Sequence, residues 1–152
     1  MPRKLKVAFS NSPVNLTHAT FRDLGFAARP DGLFDVYSAG GLGPNPRMGI
    51  LSAEAVKPSQ ILYHIKAMWL LFLAHGNYAS RVRARTRYIP EALGGPQAYV
   101  DAYRSKLEEV FASGEDLTLA LNPHEITKNG DGTHIEGFRV LPQKQEGLYS
   151  IL

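Results

Sequence analysis

Cysteine is absent from the sequence altogether. That excludes disulfides, thiolate nucleophiles, and any cysteine-ligated zinc or iron–sulfur centre built by this chain alone. Long hydrophobic runs are also missing. No apolar stretch approaches the roughly 18 residues that would cross a bilayer as a helix, and no cationic-apolar leader is evident. The expectation is a cytoplasmic protein without a membrane partner. Neither sign of charge dominates: 17 Lys and Arg against 14 Asp and Glu leave +3 at pH 7. This suits an anionic ligand and is too mild to imply nucleic acid. Metal-ligand spacings such as HExxH, the Lys-Ser/Thr of a nucleoside triphosphate loop and the dinucleotide fingerprint do not occur either.

What is present is enough for one globular domain. The 152 residues are 44% hydrophobic and 20% charged, ordinary for a chain with a core of its own. Strand patterns come first. Arg3 to Ser10 alternates, which sets Leu5, Val7 and Phe9 on one buried face and Lys4, Lys6, Ala8 and Ser10 on the other. Pro13 to Thr17 reads as a loop, Phe26 to Arg29 as a short extended piece, Pro30-Asp31-Gly32 as a turn and Leu33 to Ser38 as a second strand. Ala39 to Gly49 is too rich in Gly and Pro for regular structure. Helices follow. One opens at Pro58 and runs to about His75, apolar nearly all round and therefore expected between other elements. Pro90 to Leu93 reads as a second. A third runs from Pro96 to about Ala112 with Tyr99, Val100, Tyr103, Leu107, Val110 and Phe111 inward. Beyond Gly114 come a short apolar run at Leu117 to Leu121 and a tight turn at Asn129 to Gly132. Gly137 to Leu141 and Leu148 to Leu152 then alternate like a hairpin. The chain stops within that last pattern, as a cut through a domain would.

Three groups of residues carry chemistry. Lys4 and Lys6 stand about 7 Å apart on one face of an extended chain, close enough to share one small anion or the carboxylates of one cofactor; a solvated edge strand would carry lysines as well. The glycine loop from Gly40 to Gly49 offers backbone N–H groups unshielded by side chains, although such loops also serve only as turns. Arg81, Arg83, Arg85 and Arg87 alternate strictly. They share a face if extended and scatter if helical. Guanidinium holds carboxylates bidentately, so a polycarboxylate or a phosphate backbone is the matching partner, and only Tyr78 and Tyr88 are near enough to stack bases. The histidines read as structural. His64 and His75 share a helix face but lie about 16 Å apart along it, and only His18 falls near the basic strand. Ser10 and Ser12 lack a His-Asp partner pattern, and no carboxylates pair as acid and base.

Taken in order, Pro2-Arg3-Lys4-Leu5-Lys6, Asp23-Leu24-Gly25-Phe26, Gly40-Gly41-Leu42-Gly43, and Gly76-Asn77 followed by Arg81 to Tyr88 resemble the siroheme-dependent nitrite and sulfite reductases. The resemblance is firm from Pro2 to about Phe111 and fainter to Leu152. It corresponds to an internal slice of the family chain. It implies an α+β fold, a mixed or antiparallel sheet with helices packed on one side. Residues 1–113 would be part of a siroheme-binding domain, 114–135 a linker and 136–152 the start of a ferredoxin-like half-domain.

By the same resemblance, Lys4 and Lys6 hold the substrate anion at the distal side of siroheme. Arg3 pairs with siroheme carboxylates, Gly40, Gly41, Leu42 and Gly43 lie against the macrocycle, and Arg81 and Arg85 supply further carboxylate contacts, with Arg83 and Arg87 in reserve. The implied reaction is six-electron reduction of sulfite to sulfide or nitrite to ammonia. Its implied partners are the remaining reductase domains or a complementary chain, and an electron donor such as ferredoxin. Departures are visible: Leu5 stands where the family carries an aromatic, Ala39 replaces the first of three glycines, and Tyr78 occupies a position where arginine is common. The cysteines that hold the family's [4Fe–4S] cluster belong to a later domain. Two other readings stay open: a basic anion- or nucleic-acid-binding module, and a non-catalytic remnant of the reductase.

Overall fold

The computed structural model describes residues 1–11, 14–120, 134–135 and 137–151. It divides into two units, residues 1–121 and 122–152.

The first unit is built on a four-stranded sheet in the order β1 (Val7–Ser10), β2 (Leu24–Ala28), β3 (Phe34–Ser38), β4 (Ile50–Val56). β1 and β2 are parallel and the remaining pairs antiparallel, so the sheet is mixed. The parallel pair follows from the long excursion between Ser10 and Leu24, which a hairpin would not need. β2 and β3 are joined through Pro30-Asp31-Gly32, where Arg29 accepts from Gly32 N and donates to Leu33 O, and Asp31 caps Leu33 N. Arg29 pairs with both Asp31 and Asp35, and its hydrogen bond to Asp31, with the Leu33 N–H next, holds the Asp31 carboxyl below its ordinary range.

β4 is a strand that the alternation in the sequence does not announce. Its register against β3 shifts twice. One extra residue at Ser52 and another around Glu54 and Ala55 break the period of two, and Ala55 sits at φ 53°. The bulge turns Ser52 inward, where its hydroxyl lies 2.6 Å from that of Ser38 and donates to Ile50 O at 3.0 Å.

Two long helices, α1 (Ile61–His75) and α3 (Pro96–Ala112), pack together with the sheet, and the short α2 (Ile89–Ala92) joins them. A 3-10 turn at Pro58–Gln60 precedes α1, and Gln60 Oε1 accepts the otherwise orphaned N–H of Lys57 at 3.4 Å. The core joins Leu24, Phe26, Val36 and Val56 of the sheet to Ile61, Met68, Leu71, Phe72, Tyr99 and Tyr103 of the helices. Each large apolar side chain buried there stabilises the fold by about 1.5–3 kcal/mol. Polar atoms inside this core are paired. Ser38 Oγ lies 2.7 Å from Tyr99 Oη, which donates to Met68 Sδ, and His64 Nδ1 lies 2.9 Å from Tyr103 Oη. Burial raises both phenols and pushes His64 down to about 4.

Three expectations need correction here. The first strand is Val7–Ser10 rather than Arg3–Ser10. Leu5 and Val7 pack against the core as expected, but Phe9 is 46% exposed while Ser10 is buried. Phe9 does stack on Phe26, with ring centroids 5.0 Å apart; it faces the core side from an edge strand and lacks full cover. α1 is not enclosed on all sides either: Leu62 and Trp69 are exposed, because α3 covers one flank only. Phe111 of α3, expected inward, is likewise exposed and stacks on Tyr63.

After α3 the chain runs without helix or strand to residue 120, held by Lys66 against Glu115, by Leu117 N donating to Tyr63 Oη, and by Leu119 N donating to Ser59 O. In the second unit β5 (His134–Ile135), β6 (Phe138–Pro142) and β7 (Tyr149–Ile151) form an antiparallel sheet in that order. Gln143 N donates to Leu148 O across the β6–β7 connection, so a hairpin forms where the alternation predicts one. The turn expected at Asn129 to Gly132 lies outside the described residues.

Candidate functional site

The three basic or glycine-rich segments come together around Asp23, immediately before β2. Lys4 and Lys6 lie just before β1, both exposed, and neither ammonium has a carboxylate partner among the described residues. Arg3 is exposed and one of its amino nitrogens donates to Arg81 O at 3.2 Å. The N-terminal segment is thereby tied to the start of the arginine run.

The glycine loop is an ordered bracket. Gly41 and Arg47 exchange both backbone hydrogen bonds at 2.9 Å, which closes the loop at its neck. Ala39 N donates to Asp23 O, Gly40 N to Arg22 O and Gly49 N to Thr20 O, so the neck is fastened to the segment that enters β2. Ala39 holds φ 59° while buried, a backbone state that glycine adopts at less cost. Gly40 is buried against Phe21 and Gly49, whereas Leu42 projects into solvent, 67% exposed. The far side of the loop leans on the arginine run: Arg47 pairs with Glu91 at 3.0 Å, and Asn45 Nδ2 donates to Tyr88 Oη at 3.2 Å.

The arginine run is not an extended ladder. Arg81–Arg83 and Thr86–Tyr88 are 3-10 turns, with Arg85 alone in an extended conformation between them. A period near three replaces the period of two, and the four guanidiniums separate. Arg81 and Arg83 point outward, Arg85 is largely buried, and Arg87 is 6% exposed. Ala84, Thr86 and Tyr88 are the buried anchors that impose this geometry. Arg83 approaches Glu91 at 3.6 Å.

Arg85 and Arg87 lie in different electrostatic settings. Arg85 donates to Asp23 Oδ2 at 2.6 Å. Arg87 has no carboxylate partner among the described residues; its guanidinium lies 5.0 Å from the Tyr88 ring centroid and directly beneath the glycine loop. A Cβ at Gly41 would stand 3.2 Å from an Arg87 amino nitrogen, and one at Gly43 would stand 2.9 Å away. These two glycines therefore make room for the arginine. Hydrogen bonds from Asn45 and Arg87, with the Arg87 and Arg83 charges behind them, hold the Tyr88 phenol below its ordinary value. The Nε atoms of both Arg85 and Arg87 are buried without an acceptor.

Asp23 enters the sequence reading only within the motif Asp23-Leu24-Gly25-Phe26, with no role of its own. It is 2% exposed. Its carboxylate accepts from Lys6 N at 2.9 Å, from Arg85 at 2.6 Å and from Thr86 Oγ1 at 2.5 Å, and its carbonyl accepts from Ala39 N. Lysine segment, glycine loop and arginine run all meet on this one residue. The signal for a role of its own was an acid directly before the apolar Leu24-Gly25-Phe26 in a chain with excess cations.

A cleft of about 160 Å³ adjoins Arg85, lined by His75, Asn77, Arg83, Tyr88, Ile89, Glu91 and Ala92. It falls below the roughly 300 Å³ at which small-molecule sites begin. His64 is in the core, and His18 is exposed and stacked on Phe21. Among the described residues no cluster of His, Asp and Glu is arranged to hold a metal ion, and no helix is long and apolar enough to cross a membrane.

A family model described as the nitrite and sulphite reductase 4Fe-4S domain matches residues 1–110. Among solved structures, the Mycobacterium tuberculosis NirA protein is similar in fold, with a TM-score of 0.60 and 20% sequence identity over 92% of this chain and 26% of that one. The chain thus spans about a quarter of the length of that protein. No curated protein matches.

Proposed function

The chain belongs to the nitrite and sulphite reductase family, and from that premise we propose that it forms the anion-facing wall of a siroheme pocket in an enzyme reducing nitrite to ammonia or sulfite to sulfide. In this reading residues 1–113 are part of the siroheme-binding domain, 114–135 a linker and 136–152 the opening of a ferredoxin-like half. The observation that carries it is the buried Arg87 guanidinium, roofed by Gly41 and Gly43 and lacking a carboxylate among the described residues. A desolvated cation without a counter-ion costs several kcal/mol. A ligand carboxylate would remove that cost, and a tetrapyrrole bearing several carboxylates matches a set of cations that also includes Arg3 and Arg81.

The cleft beside Arg85 is too small for a macrocycle, which fits a wall completed by further reductase domains or a complementary chain. Siroheme, when bound, supplies the iron centre at which the oxyanion is reduced. Lys4 and Lys6 would hold the anion by charge and N–H donation, offsetting the negative charge that grows as electrons arrive. Being exposed, they would also be placed to donate protons to the bound anion and to exchange them with solvent. With no cysteine in the chain, the [4Fe–4S] cluster in the family's description has no thiolate ligand here. Electrons would enter through other domains from a donor such as ferredoxin.

Reconstitution tests the proposal. Siroheme titrated into the purified chain should give a saturable change in its visible spectrum, and nitrite or sulfite should then perturb that spectrum. An unchanged cofactor spectrum would sink the reading, and steeply salt-dependent RNA binding in its place would favour a basic binding module.

A further inference from the structure

Resting on that reading, we propose that Asp23 is the positioning residue of the site, setting the lysine segment, the glycine loop and the arginine run in one frame, and that Arg85 serves it as an internal counter-ion. The argument begins with cost. A carboxylate this deeply buried is expensive to desolvate unless it is paired and fully hydrogen-bonded. Asp23 meets both conditions, through Arg85 and through the Lys6 N–H and the Thr86 hydroxyl. For stability alone, replacing the whole Asp23–Arg85 pair by apolar residues of similar volume is often as good, whereas removing Asp23 by itself leaves Arg85 buried and unpaired.

The choice of partners gives the residue its meaning. One bond goes to the main chain of Lys6, so the carboxylate fixes the backbone that carries the exposed ammonium groups. The other two go to Arg85 and Thr86, which open the turn that places Arg87 under Gly41 and Gly43. The main-chain carbonyl of the same residue takes Ala39 N, the entry to the glycine loop, while Lys6 O accepts from Leu24 N next door. Segments 17 and 62 residues away in sequence are thus referred to a single point immediately before β2. The Arg85 charge is spent inside the protein, which leaves the exposed Lys4 and Lys6 and the roofed Arg87 to face an anionic ligand.

Two measurements on the 152-residue chain separate this claim from the pocket reading. The first needs no cofactor: amide hydrogen exchange at Lys6. Asp23→Ala, or Asp23→Asn if the alanine variant does not fold, should speed exchange of the Lys6 amide at least tenfold more than it speeds exchange of core amides such as Leu71. Thr86→Val should give part of that effect, and Thr86→Ser, which restores the hydroxyl, should behave as wild type. Unchanged Lys6 exchange, or equal acceleration across the core, would overturn the positioning role.

The second measurement is siroheme affinity by absorbance titration. Removing a negative charge beside a polyanion site should tighten binding on electrostatic grounds alone, whereas loss of positioning should weaken it. The expectation for Asp23→Asn is binding about tenfold weaker. Equal or tighter binding by a variant folded as wild type would refute the inference. If wild type itself takes up no siroheme, the pocket reading falls, and the Lys6 amide alone decides whether Asp23 organises the three segments.

Discussion

A Cβ placed on Gly43 would stand 2.9 Å from an amino nitrogen of Arg87 and 3.3 Å from its guanidinium carbon. The loop and the arginine occupy one another's space so closely that a single methyl separates a roofed cation from a displaced one. Since the atom in the way is the end of a flexible side chain, Gly43→Ala should leave stability within about 0.5 kcal/mol of wild type. It should nevertheless weaken siroheme binding by about tenfold. Urea midpoints and a cofactor titration on the same preparation check both halves; unchanged affinity would remove Arg87 from the proposed carboxylate contacts.

Lys4 and Lys6 are exposed and have no ion-pair partner among the described residues. Lys4→Ala and Lys6→Ala should therefore change stability by less than about 0.5 kcal/mol. Nitrite or sulfite binding to the siroheme-loaded chain should fall about tenfold for each, the scale of one charge-assisted hydrogen bond at a solvated site. Spectral titration against the anion measures this, and equal affinity in the double variant would contradict the assignment.

His64 makes acid stability predictable in sign. Its pKa is lowered from 6.5 to about 4 by burial, so above pH 6.5 the imidazole is neutral in both states and its contribution is complete. As the pH falls through 6.5 the unfolded chain takes up a proton that the fold refuses until about pH 4. Stability should drop by about 3 kcal/mol across that window. His64→Gln should be less stable at pH 7 and should lack this part of the slope. Unfolding free energies at pH 7 and pH 4.5 for both proteins give the comparison, and identical slopes would show that His64 is not responsible.

Gly25 lies where a 3-10 turn at Ala19–Phe21 crosses the sheet. An added Cβ would sit 1.9 Å from Ala19 O and 2.6 Å from Ala19 C, both backbone atoms without freedom to yield. Gly25→Ala should cost about 3 kcal/mol or more. Because Arg22 O and Thr20 O receive Gly40 N and Gly49 N, the displaced turn should also loosen the glycine loop. Thermal unfolding and exchange of the Gly40 and Gly49 amides would register both effects, and a variant as stable as wild type would show that the turn has another place to go.

Much of the architecture was legible because local physics settled it. Pro58 and Pro96 open helices that end at His75 and Ala112, since proline at a first turn costs nothing and periodic apolar residues follow it. β3 and the β6–β7 hairpin appear where alternation predicts them. β4 was hidden because its bulges at Ser52 and near Ala55 break the period that a strand needs to be recognised. Of the site, the exposed Lys4 and Lys6 and the bracket from Ala39 to Gly49 were readable as chemistry. The roles within the arginine run were not: strict alternation describes the sequence, but the buried Ala84, Thr86 and Tyr88 force two 3-10 turns that send successive guanidiniums in different directions.

By itself the sequence determined the absence of any thiolate and a set of cations suited to a polycarboxylate or a phosphate backbone, while the class of fold came from the family resemblance. Composition and short motifs carry these, and they do not depend on what lies across the molecule. Only the tertiary structure decided which cations are paired and which have no carboxylate partner among the described residues. Pairing of Arg85 with Asp23 and burial of Arg87 under Gly41 and Gly43 join residues tens of positions apart. Whether a charge is desolvated and what neutralises it are properties of that packing.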